Sequence, residues 1–326
     1  MTVSVEKILA GDIRAVARLI RMIDDENPQA RAILKQLFPH TGRAVVIGLT
    51  GPPGVGKSTL SDRLISTMRK KGQTVGVLAV DPTSPFSGGA ILGDRIRMRE
   101  HTLDQGVFIR SIATRGEFGG ITTSTRGAVT VLDAMGKDVI LVETVGVGQD
   151  EIDIARVADT TVIVLAPGLG DGIQTIKAGI LEVGDIFVVN KADRAGADAA
   201  VHELEAMLKQ RSPTAHDAES WQPPVIETVA TENRGIENLW SAITAHGRYL
   251  SRAPTPEQIQ RRFLYHKLEL IELVKKQFMD RILKELDGQG DLDRYVEAII
   301  EGRTDPYTVS EEILIALDRK RAPDDT

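Results

Sequence analysis

The chain has 326 residues, of which 42% are hydrophobic and 26% are charged, the composition of an ordinary globular protein. A net charge of −6 argues against a basic surface for nucleic acid, and the lack of cysteine excludes disulfides, thiolate metal sites and cysteine nucleophiles. The length suffices for one large domain with extensions or for two domains. No signal-peptide pattern is present, and no apolar run is long enough to span a membrane. We therefore expect a soluble, cytoplasmic protein with neither a nucleic-acid nor a membrane partner.

The first predicted elements are helices. Apolar residues recur at three- and four-residue steps between residues 3 and 38, which predicts amphipathic helices. Asn27 and Pro28 interrupt the pattern, and a second helix is expected to end near Phe38. Because amphipathic stripes usually face a core, we interpret residues 1–42 as an N-terminal helical extension that packs on the main domain.

A phosphate-binding loop follows. Residues 44–49 are mostly apolar and predict a buried strand; the pattern G-x-x-x-x-G-K-[ST] comes next, and then a helical pattern that ends at Gly72. This pattern between a strand and a helix is called a P-loop. Its backbone N–H groups and the N-terminus of the helix bind phosphates. Lys57 is expected to contact the β- and γ-phosphates, and the Ser58 hydroxyl to reach Mg²⁺. The predicted phosphate site comprises Gly51, Pro52, Pro53, Gly54, Val55, Gly56, Lys57, Ser58 and Thr59.

A second strand at residues 74–80 ends at Asp81, and a loop rich in glycine, proline and hydroxyl residues follows. A carboxylate at this strand end lies where open α/β sheets bind ligands, so we predict that Asp81 belongs to a magnesium site; the alternative is a turn cap. Asp94 either holds a metal-bound water or is a solvated residue in the first turn of a helix. Arg115 and Arg126 are candidates for stabilising phosphoryl charge, although a surface salt bridge is the simpler interpretation of either one.

The next acidic strand end is Glu143. After a short strand at residues 107–110, which ends at Arg110, residues 138–143 have the apolar pattern of a buried parallel strand, and Gly146 follows it. An acidic residue and a glycine at this spacing are typical of loops that couple Mg²⁺ and the γ-phosphate to movement. We predict that the Gly146 N–H contacts the γ-phosphate, and that Glu143 acts through water on Mg²⁺ or on the attacking water. Lys57, Glu143 and Gly146 are the predicted catalytic residues.

A guanine-binding motif is predicted near the end of the sheet. Strands are expected at residues 160–166 and 185–189, and the second leads directly into Asn190-Lys191-Ala192-Asp193, the N-K-x-D motif. The Asp193 carboxylate can accept hydrogen bonds from both the ring N–H and the exocyclic amine of guanine, whereas adenine lacks this pair of donors. After a sixth strand at residues 225–228, a backbone N–H is expected to contact the guanine carbonyl oxygen. The predicted ligands are GTP or GDP with Mg²⁺, and the predicted guanine site comprises Asn190, Lys191, Asp193, Val229, Ala230 and Thr231.

The last quarter of the chain differs in composition. A helix at residues 236–250 closes a P-loop domain that spans residues 43–252, and charged amphipathic helices follow. We expect these helices at residues 258–286, 292–301 and 310–321. Because the first exceeds the usual length of a helix in a single domain, we interpret residues 253–326 as a dimerisation arm that buries its apolar stripe against a second copy. Packing within one chain is the alternative.

These motifs and the residues around them resemble the MeaB/ArgK family of P-loop GTPases, which attend cobalamin-dependent acyl-CoA mutases. The matching stretches are GPPGVGKST (51–59), AVDPTSPFSGGAILGDRIRM (79–98), FIRSIATRG (108–116), ILVETVGVGQDE (140–151), GDGIQTIKAGILEVGDIFVVNKAD (170–193) and GIENLW (235–240). The resemblance covers nearly the whole chain, and the Glu143-Thr144-Val145-Gly146 variant is particularly specific to it.

The resemblance implies an α/β fold: a mostly parallel sheet flanked by helices, as in P-loop NTPases of the SIMIBI type, with the N-terminal extension and C-terminal arm described above. It also implies a homodimer that binds Mg²⁺·GTP, protects a cobalamin-dependent acyl-CoA mutase and gates the loading of its cofactor. Methylmalonyl-CoA mutase or a close relative is the implied partner. By position, the magnesium shell and switches of the family fall on Ser58, Asp81, Asp94 and Glu143, and a partner-sensing segment falls on Gln174 and Lys177.

Two other functions stay open at this point. A nickel-delivery GTPase of the same structural class would need clusters of cysteine or histidine, whereas this chain has no cysteine and six scattered histidines. A kinase for a small substrate would typically use ATP, against which the N-K-x-D motif argues. The leading hypothesis is a GTPase that is slow alone and stimulated by the mutase, since a partner can complete such a site.

Overall fold

The computed structural model describes residues 3–81, 98–101, 103–113, 123–144, 153–168, 178–211, 220–252, 256–287 and 291–319. The chain divides into two compact units, Met1–Ala253 and Pro254–Thr326. Within the described ranges, no helix combines the length and the apolar character that crossing a membrane would require.

One seven-stranded sheet forms the centre of the first unit, and all of its paired strands are parallel. The strands are β1 (Val45–Thr50), β2 (Val75–Asp81), β3 (Val107–Ala113), β4 (Val139–Thr144), β5 (Thr160–Leu165), β6 (Ile186–Asn190) and β7 (Val225–Thr228). Their nearly continuous apolar runs suit strands that are covered on both faces. The prediction of a mostly parallel α/β sheet flanked by helices is confirmed.

Strand β1 occupies the middle of the sheet, whose strand order is β3-β2-β4-β1-β5-β6-β7. The chain builds β2, β3 and β4 on one side of β1 and then β5, β6 and β7 on the other side. In open parallel sheets, ligands bind beyond the carboxyl ends of the strands at the point where the order reverses. The loop that follows β1 therefore lies at the ligand-binding edge of the sheet.

Helices flank this sheet in the first unit. They are α1 (Val5–Leu9), α2 (Ile13–Asp24), α3 (Pro28–Leu37), α4 (Lys57–Lys70), α5 (Thr123–Ala134), α6 (Ala178–Val183), α7 (Ala197–Arg211) and α8 (Ile236–Leu250). On one side of the sheet, Leu60 and Leu64 of α4 share a buried core with Leu239 and Ile243 of α8. This packing fixes the position of α4, the helix that directly follows the P-loop.

The N-terminal helices contribute to the core on the opposite side. Asp12 caps α2 and Asn27 caps α3, each by accepting hydrogen bonds from backbone N–H groups of the first turn. Pro28 is the first residue of α3, where its missing N–H leaves no intrahelical bond unmade. The buried residues that α1, α2 and α3 contribute to a core shared with α5 and the strands include Ile8, Val16, Leu19, Ile20, Ala30 and Leu37. The predicted break at Asn27 and Pro28 and the helix after it are confirmed, whereas the run before the break forms two helices, α1 and α2, instead of one.

Two predicted boundaries differ from the structure by three residues or more. Strand β3 continues to Ala113, three residues beyond the predicted Arg110. The last helix begins at Pro306 instead of Ser310, because the Asp305 carboxylate caps it by accepting hydrogen bonds from the Tyr307 and Thr308 N–H groups, at 2.9 and 3.1 Å. An aspartate followed by a proline is a sequence signal for a helix start, and it was not used in the prediction.

The described residues of the second unit form three helices, α9 (Pro256–Asp287), α10 (Asp291–Ile300) and α11 (Pro306–Arg319). Among its described side chains, Ile282 and Val309 are buried, at 8% and 6% exposure. Several large apolar side chains of α9 are instead exposed: Ile259, Phe263, Leu264, Leu270, Val274 and Met279. Three helices are therefore present as predicted, and the first carries a large apolar surface in the single chain.

Candidate nucleotide-binding site

The P-loop is closely packed against its neighbours. Gly51 has a φ of 144°, and a Cβ atom there would lie 2.0 Å from the Val164 carbonyl oxygen. Gly56, with a φ of 95°, would place a Cβ 2.5 Å from the Asn190 side chain. Val55 is buried in the core between them. Glycine is therefore required at both positions by backbone conformation and by space.

Lys57 is folded back over the loop that precedes it. Its Nζ donates hydrogen bonds to the carbonyl oxygens of Gly51 and Pro52, at 2.6 and 3.0 Å. The side chain is 6% exposed, so its charge is held in a restricted position at the start of α4. A positive charge over a curled loop at a helix N-terminus is suited to the phosphate chain of a nucleotide.

Glu143, at the end of β4, is held by two hydroxyl groups of α4. Ser58 Oγ donates to Glu143 Oε1 and Ser61 Oγ donates to Glu143 Oε2, both at 2.7 Å. Glu143 and Ser58 are 4% and 7% exposed, and Ser61 is fully buried. Ser61 belongs to no motif and was not predicted, although its position three residues after Ser58 places both hydroxyls on the same face of α4.

The strand ends beneath this cluster are also joined. Thr50 and Thr144 are fully buried, and their hydroxyl oxygens lie 2.7 Å apart in a hydrogen bond. In the ladder between β1 and β4, Leu49 is paired with Glu143. The P-loop and the Glu143 strand end are therefore linked by both backbone and side-chain hydrogen bonds.

The residues on this edge fit a magnesium ion. Mg²⁺ prefers oxygen ligands and is usually held by one or two protein side chains together with phosphates and waters. Ser58 and Glu143 place a hydroxyl and a carboxylate oxygen 2.7 Å apart at the base of the P-loop. The backbone of Asp81 lies at the same edge, since β2 is paired with β4 through Val80 and Thr144. In the described parts of the chain, there is no cluster of three or more histidine, aspartate or glutamate residues that would hold a metal by itself.

Asn190 connects the N-K-x-D motif to the P-loop and to the end of β7. It is 2% exposed; its Nδ2 donates to the Val55 carbonyl oxygen at 2.8 Å. Its Oδ1 accepts hydrogen bonds from Thr228 Oγ1 and from the Ala230 N–H, at 3.0 and 3.2 Å. Lys191 has a φ of 58°, and its Nζ donates to the Gly54 carbonyl oxygen at 2.6 Å. Three segments that are distant in sequence therefore meet at one place.

The remaining guanine-site residues differ in their surroundings. Asp193 is exposed at the rim, where a base could approach it. The Val229 N–H donates to the Arg234 carbonyl oxygen at 3.1 Å, and the Ala230 N–H is bonded to Asn190 as described. Thr231 is exposed beside them. The three residues lie directly after β7 as predicted, and which of their N–H groups contacts the guanine carbonyl oxygen stays a prediction.

Four predicted site residues, Asp94, Gly146, Gln174 and Lys177, lie outside the described residues. The arginine candidate Arg115 does so as well. Arg126, on α5, is close enough to Asp153 to act on it: burial raises the pKa of the Asp153 carboxyl, and the charges of Arg156 and Arg126 oppose that rise.

Comparison with known proteins extends these observations. A family model described as "Methylmalonyl Co-A mutase-associated GTPase MeaB" matches residues 16–287. The chain belongs to the MeaB family. Like the family, it is a GTPase, and its central motifs are those of a guanine-nucleotide site. The resemblance predicted from the sequence is confirmed.

Individual relatives of this MeaB-family protein match over most of their length. A protein of Pyrococcus abyssi, itself named only as an inferred GTPase, is 48% identical over 310 residues, which cover 95% of this chain and 94% of the relative. The GTPase ArgK of Escherichia coli is 33% identical, with 90% and 88% coverage. A crystal structure described as an LAO/AO transport system kinase matches with a TM-score of 0.65 and 27% identity over 96% of both chains.

Proposed function

We propose that this GTPase is a chaperone that protects a cobalamin-dependent acyl-CoA mutase and gates the loading of its cofactor. The observation that carries the proposal is the match of residues 16–287 to a family whose description names a methylmalonyl-CoA mutase. The proposed partner is methylmalonyl-CoA mutase or a close relative.

The proposed ligands are GTP or GDP with Mg²⁺. Ser58 and Glu143 would hold the ion, together with Asp81 and Asp94, and the ion would neutralise phosphate charge when bound. Lys57 would place its positive charge on the β- and γ-phosphates once it exchanges the carbonyl oxygens of Gly51 and Pro52 for phosphate oxygens.

The proposed cycle uses hydrolysis as a timer. The γ-phosphate would hold the segments after Asp81 and Glu143 in one conformation through contacts such as the Gly146 N–H, and its loss would release them. Gln174 and Lys177 would sense the partner. Turnover of the isolated protein is expected to be slow, and the mutase would raise it by completing the site.

The first test is steady-state hydrolysis of GTP, with ATP as the control nucleotide, in the presence and absence of a purified cobalamin-dependent acyl-CoA mutase. We expect GTP to be preferred and the mutase to stimulate its hydrolysis. GTP turnover that is unaffected by the mutase would contradict the proposed partner and leave the GTPase assignment intact.

A kinase for a small acceptor is the second candidate, because the solved structure with a TM-score of 0.65 is described as a transport system kinase. The same assay separates the two: ATP turnover that depends on an added small acceptor would favour the kinase. A nickel-delivery function has less support, since the chain has no cysteine and no histidine cluster is found among the described residues.

A further inference from the structure

The carboxylate of Glu143 has both of its oxygens fixed by one helix. Ser58 Oγ holds Oε1 and Ser61 Oγ holds Oε2, each at 2.7 Å, and all three side chains are at least nine-tenths buried. Hydrogen bonds to a buried carboxylate are short and strong, so two of them from one rigid helix determine the rotation of the group.

The two serines have different positions on that helix. Ser58 belongs to the first turn of α4, directly after Lys57, where the phosphates and the ion are expected. Ser61 lies one turn further along the helix and is fully buried, so its hydroxyl is directed to Glu143 and away from the nucleotide. Ser61 therefore acts on the site through Glu143.

Docking of α4 does not depend on this hydroxyl. Leu60, Leu64 and Ile65 of the same helix are fully buried in the core. The end of β4 is separately joined to β1 by the hydrogen bond between Thr50 and Thr144. With helix and strand held by other contacts, the main consequence of the Ser61 bond is the orientation of the Glu143 carboxylate.

We propose that Ser61 is a positioning residue for magnesium: by holding Oε2, it keeps Oε1 of Glu143 directed at Ser58 and at the base of the P-loop. Without the Ser61 hydroxyl, Oε2 is a buried acceptor that has lost this donor, and the carboxylate turns to find another. Binding of Mg²⁺ to the protein–nucleotide complex should weaken, whereas binding of the nucleotide alone should not. This inference rests on the GTPase and magnesium parts of the proposed function, not on the mutase.

The test compares Ser61→Ala with Ser66→Ala in the full-length chain. Ser66 is on the same helix, and its hydroxyl donates to the Asp62 carbonyl oxygen at 3.1 Å, away from Glu143. A fluorescent GDP analogue reports nucleotide affinity in EDTA, and its dissociation rate over a range of Mg²⁺ concentrations reports magnesium binding. For Ser61→Ala we expect the half-saturating Mg²⁺ concentration to rise roughly tenfold, with affinity in EDTA changed less than about twofold. Ser66→Ala should match the unmodified protein in both measurements.

Two further variants make the test decisive. Ser61→Cys replaces the hydroxyl by a slightly larger thiol, which is a weak donor, so it leaves no cavity and should show the same direction of change. In a Glu143→Gln background, Ser61→Ala should add little further effect, because the two residues act as a pair. An unchanged magnesium dependence in Ser61→Ala or Ser61→Cys, an equal loss of affinity in EDTA, or an undiminished effect in the Glu143→Gln background would each overturn the proposal. A mutase that fails to stimulate hydrolysis would affect only the proposed function.

Discussion

Lys57 makes two hydrogen bonds to carbonyl oxygens of its own loop. A phosphate chain that enters the loop must offer the ammonium group better acceptors, and charged oxygens do so. The position of Lys57 is thus prepared for a nucleotide by the same loop that will bind it.

Replacing Lys57 by alanine should lower GTP affinity roughly 100-fold, because hydrogen bonds between charged groups contribute about 1.5–3 kcal/mol each. The fold should persist, since the Lys57 ammonium group bonds to carbonyl oxygens of its own loop and the apolar core beneath α4 is unchanged. Nucleotide binding by calorimetry and thermal unfolding by circular dichroism check both statements. Lys70→Ala, an exposed position at the end of the same helix, is the matched control. Full GTP turnover in Lys57→Ala would show that the phosphates bind elsewhere.

Replacing Asp193 by asparagine should reduce the preference for GTP over ATP by roughly 100-fold or more. An amide group offers one acceptor oxygen to the two donors of guanine, and a site built for such a pair discriminates strongly. Competition between GTP and ATP for the fluorescent GDP analogue measures the change. Asp198→Asn, on the exposed first turn of α7, should retain the original preference. If both variants retained it, another residue would recognise the base.

Residue roles differ in how readily a sequence reveals them. Lys57, Ser58 and Asn190 belong to contiguous motifs whose spacing encodes their chemistry, and the structure brings these motifs to one edge of the sheet. Ser61 has no motif. Its contact with Glu143 joins residues 82 positions apart and depends on the parallel pairing of β1 with β4, a long-range arrangement that local patterns do not contain.

At the scale of secondary-structure elements, helix α4 extends from the nucleotide edge of the sheet to the opposite edge. Its first turn holds Ser58 at the nucleotide edge, and near its end Arg69 forms a double hydrogen bond with Asp104, at 2.8 and 2.9 Å. The Gly106 N–H also donates to Asp104, at the beginning of β3. The helix is therefore held at both ends, with the Arg69 contact at the edge opposite the nucleotide.

Asp104→Asn should destabilise the protein by about 1 kcal/mol at pH 7, as expected for a well-formed but partly exposed ion pair. The Arg69 hydrogen bonds, followed by the Gly106 N–H, lower the pKa of the Asp104 carboxyl. A carboxyl group whose pKa is lowered by folding stabilises the fold at pH values above its ordinary pKa. This stabilisation is lost as the pH falls through the lowered pKa. The stability difference from Asp104→Asn should therefore be full at pH 7 and shrink below about pH 4.

Urea unfolding at several pH values measures this difference, and GTP affinity should not change because the contact lies at the far edge of the sheet. A stability difference that grew on acidification would refute the assigned role of Asp104.

At the scale of secondary-structure elements, apolar runs were sufficient to predict the strands, whereas the order β3-β2-β4-β1-β5-β6-β7 required the structure. The early start of α11 at Pro306 depended on a capping aspartate, which hydrophobic periodicity does not register.

At the scale of the whole molecule, the exposed apolar side chains of α9 remain to be covered. Ile259, Phe263, Leu270 and Val274 follow one another at intervals of four, seven and four residues, which places them on one face of the helix. They are 55%, 69%, 63% and 57% exposed in the single chain. An apolar stripe of this kind is typical of a surface that meets another subunit.

We expect the protein to be a dimer in solution, with α9 in the interface. A double substitution, Phe263→Glu with Val274→Glu, places two charges in that stripe. It should convert the dimer to a monomer, because burying unpaired carboxylates in an apolar interface has a large free-energy cost. Light scattering after size-exclusion chromatography gives the mass directly. Leu103→Glu makes the same kind of change at a side chain that is 92% exposed in the first unit, and it should leave the mass unchanged. GTP affinity should survive in the monomer, since the residues assigned to the nucleotide belong to the first unit. A protein that is monomeric without any substitution would show that α9 does not pair with a second copy, and the mutase would then be the next candidate to cover this face.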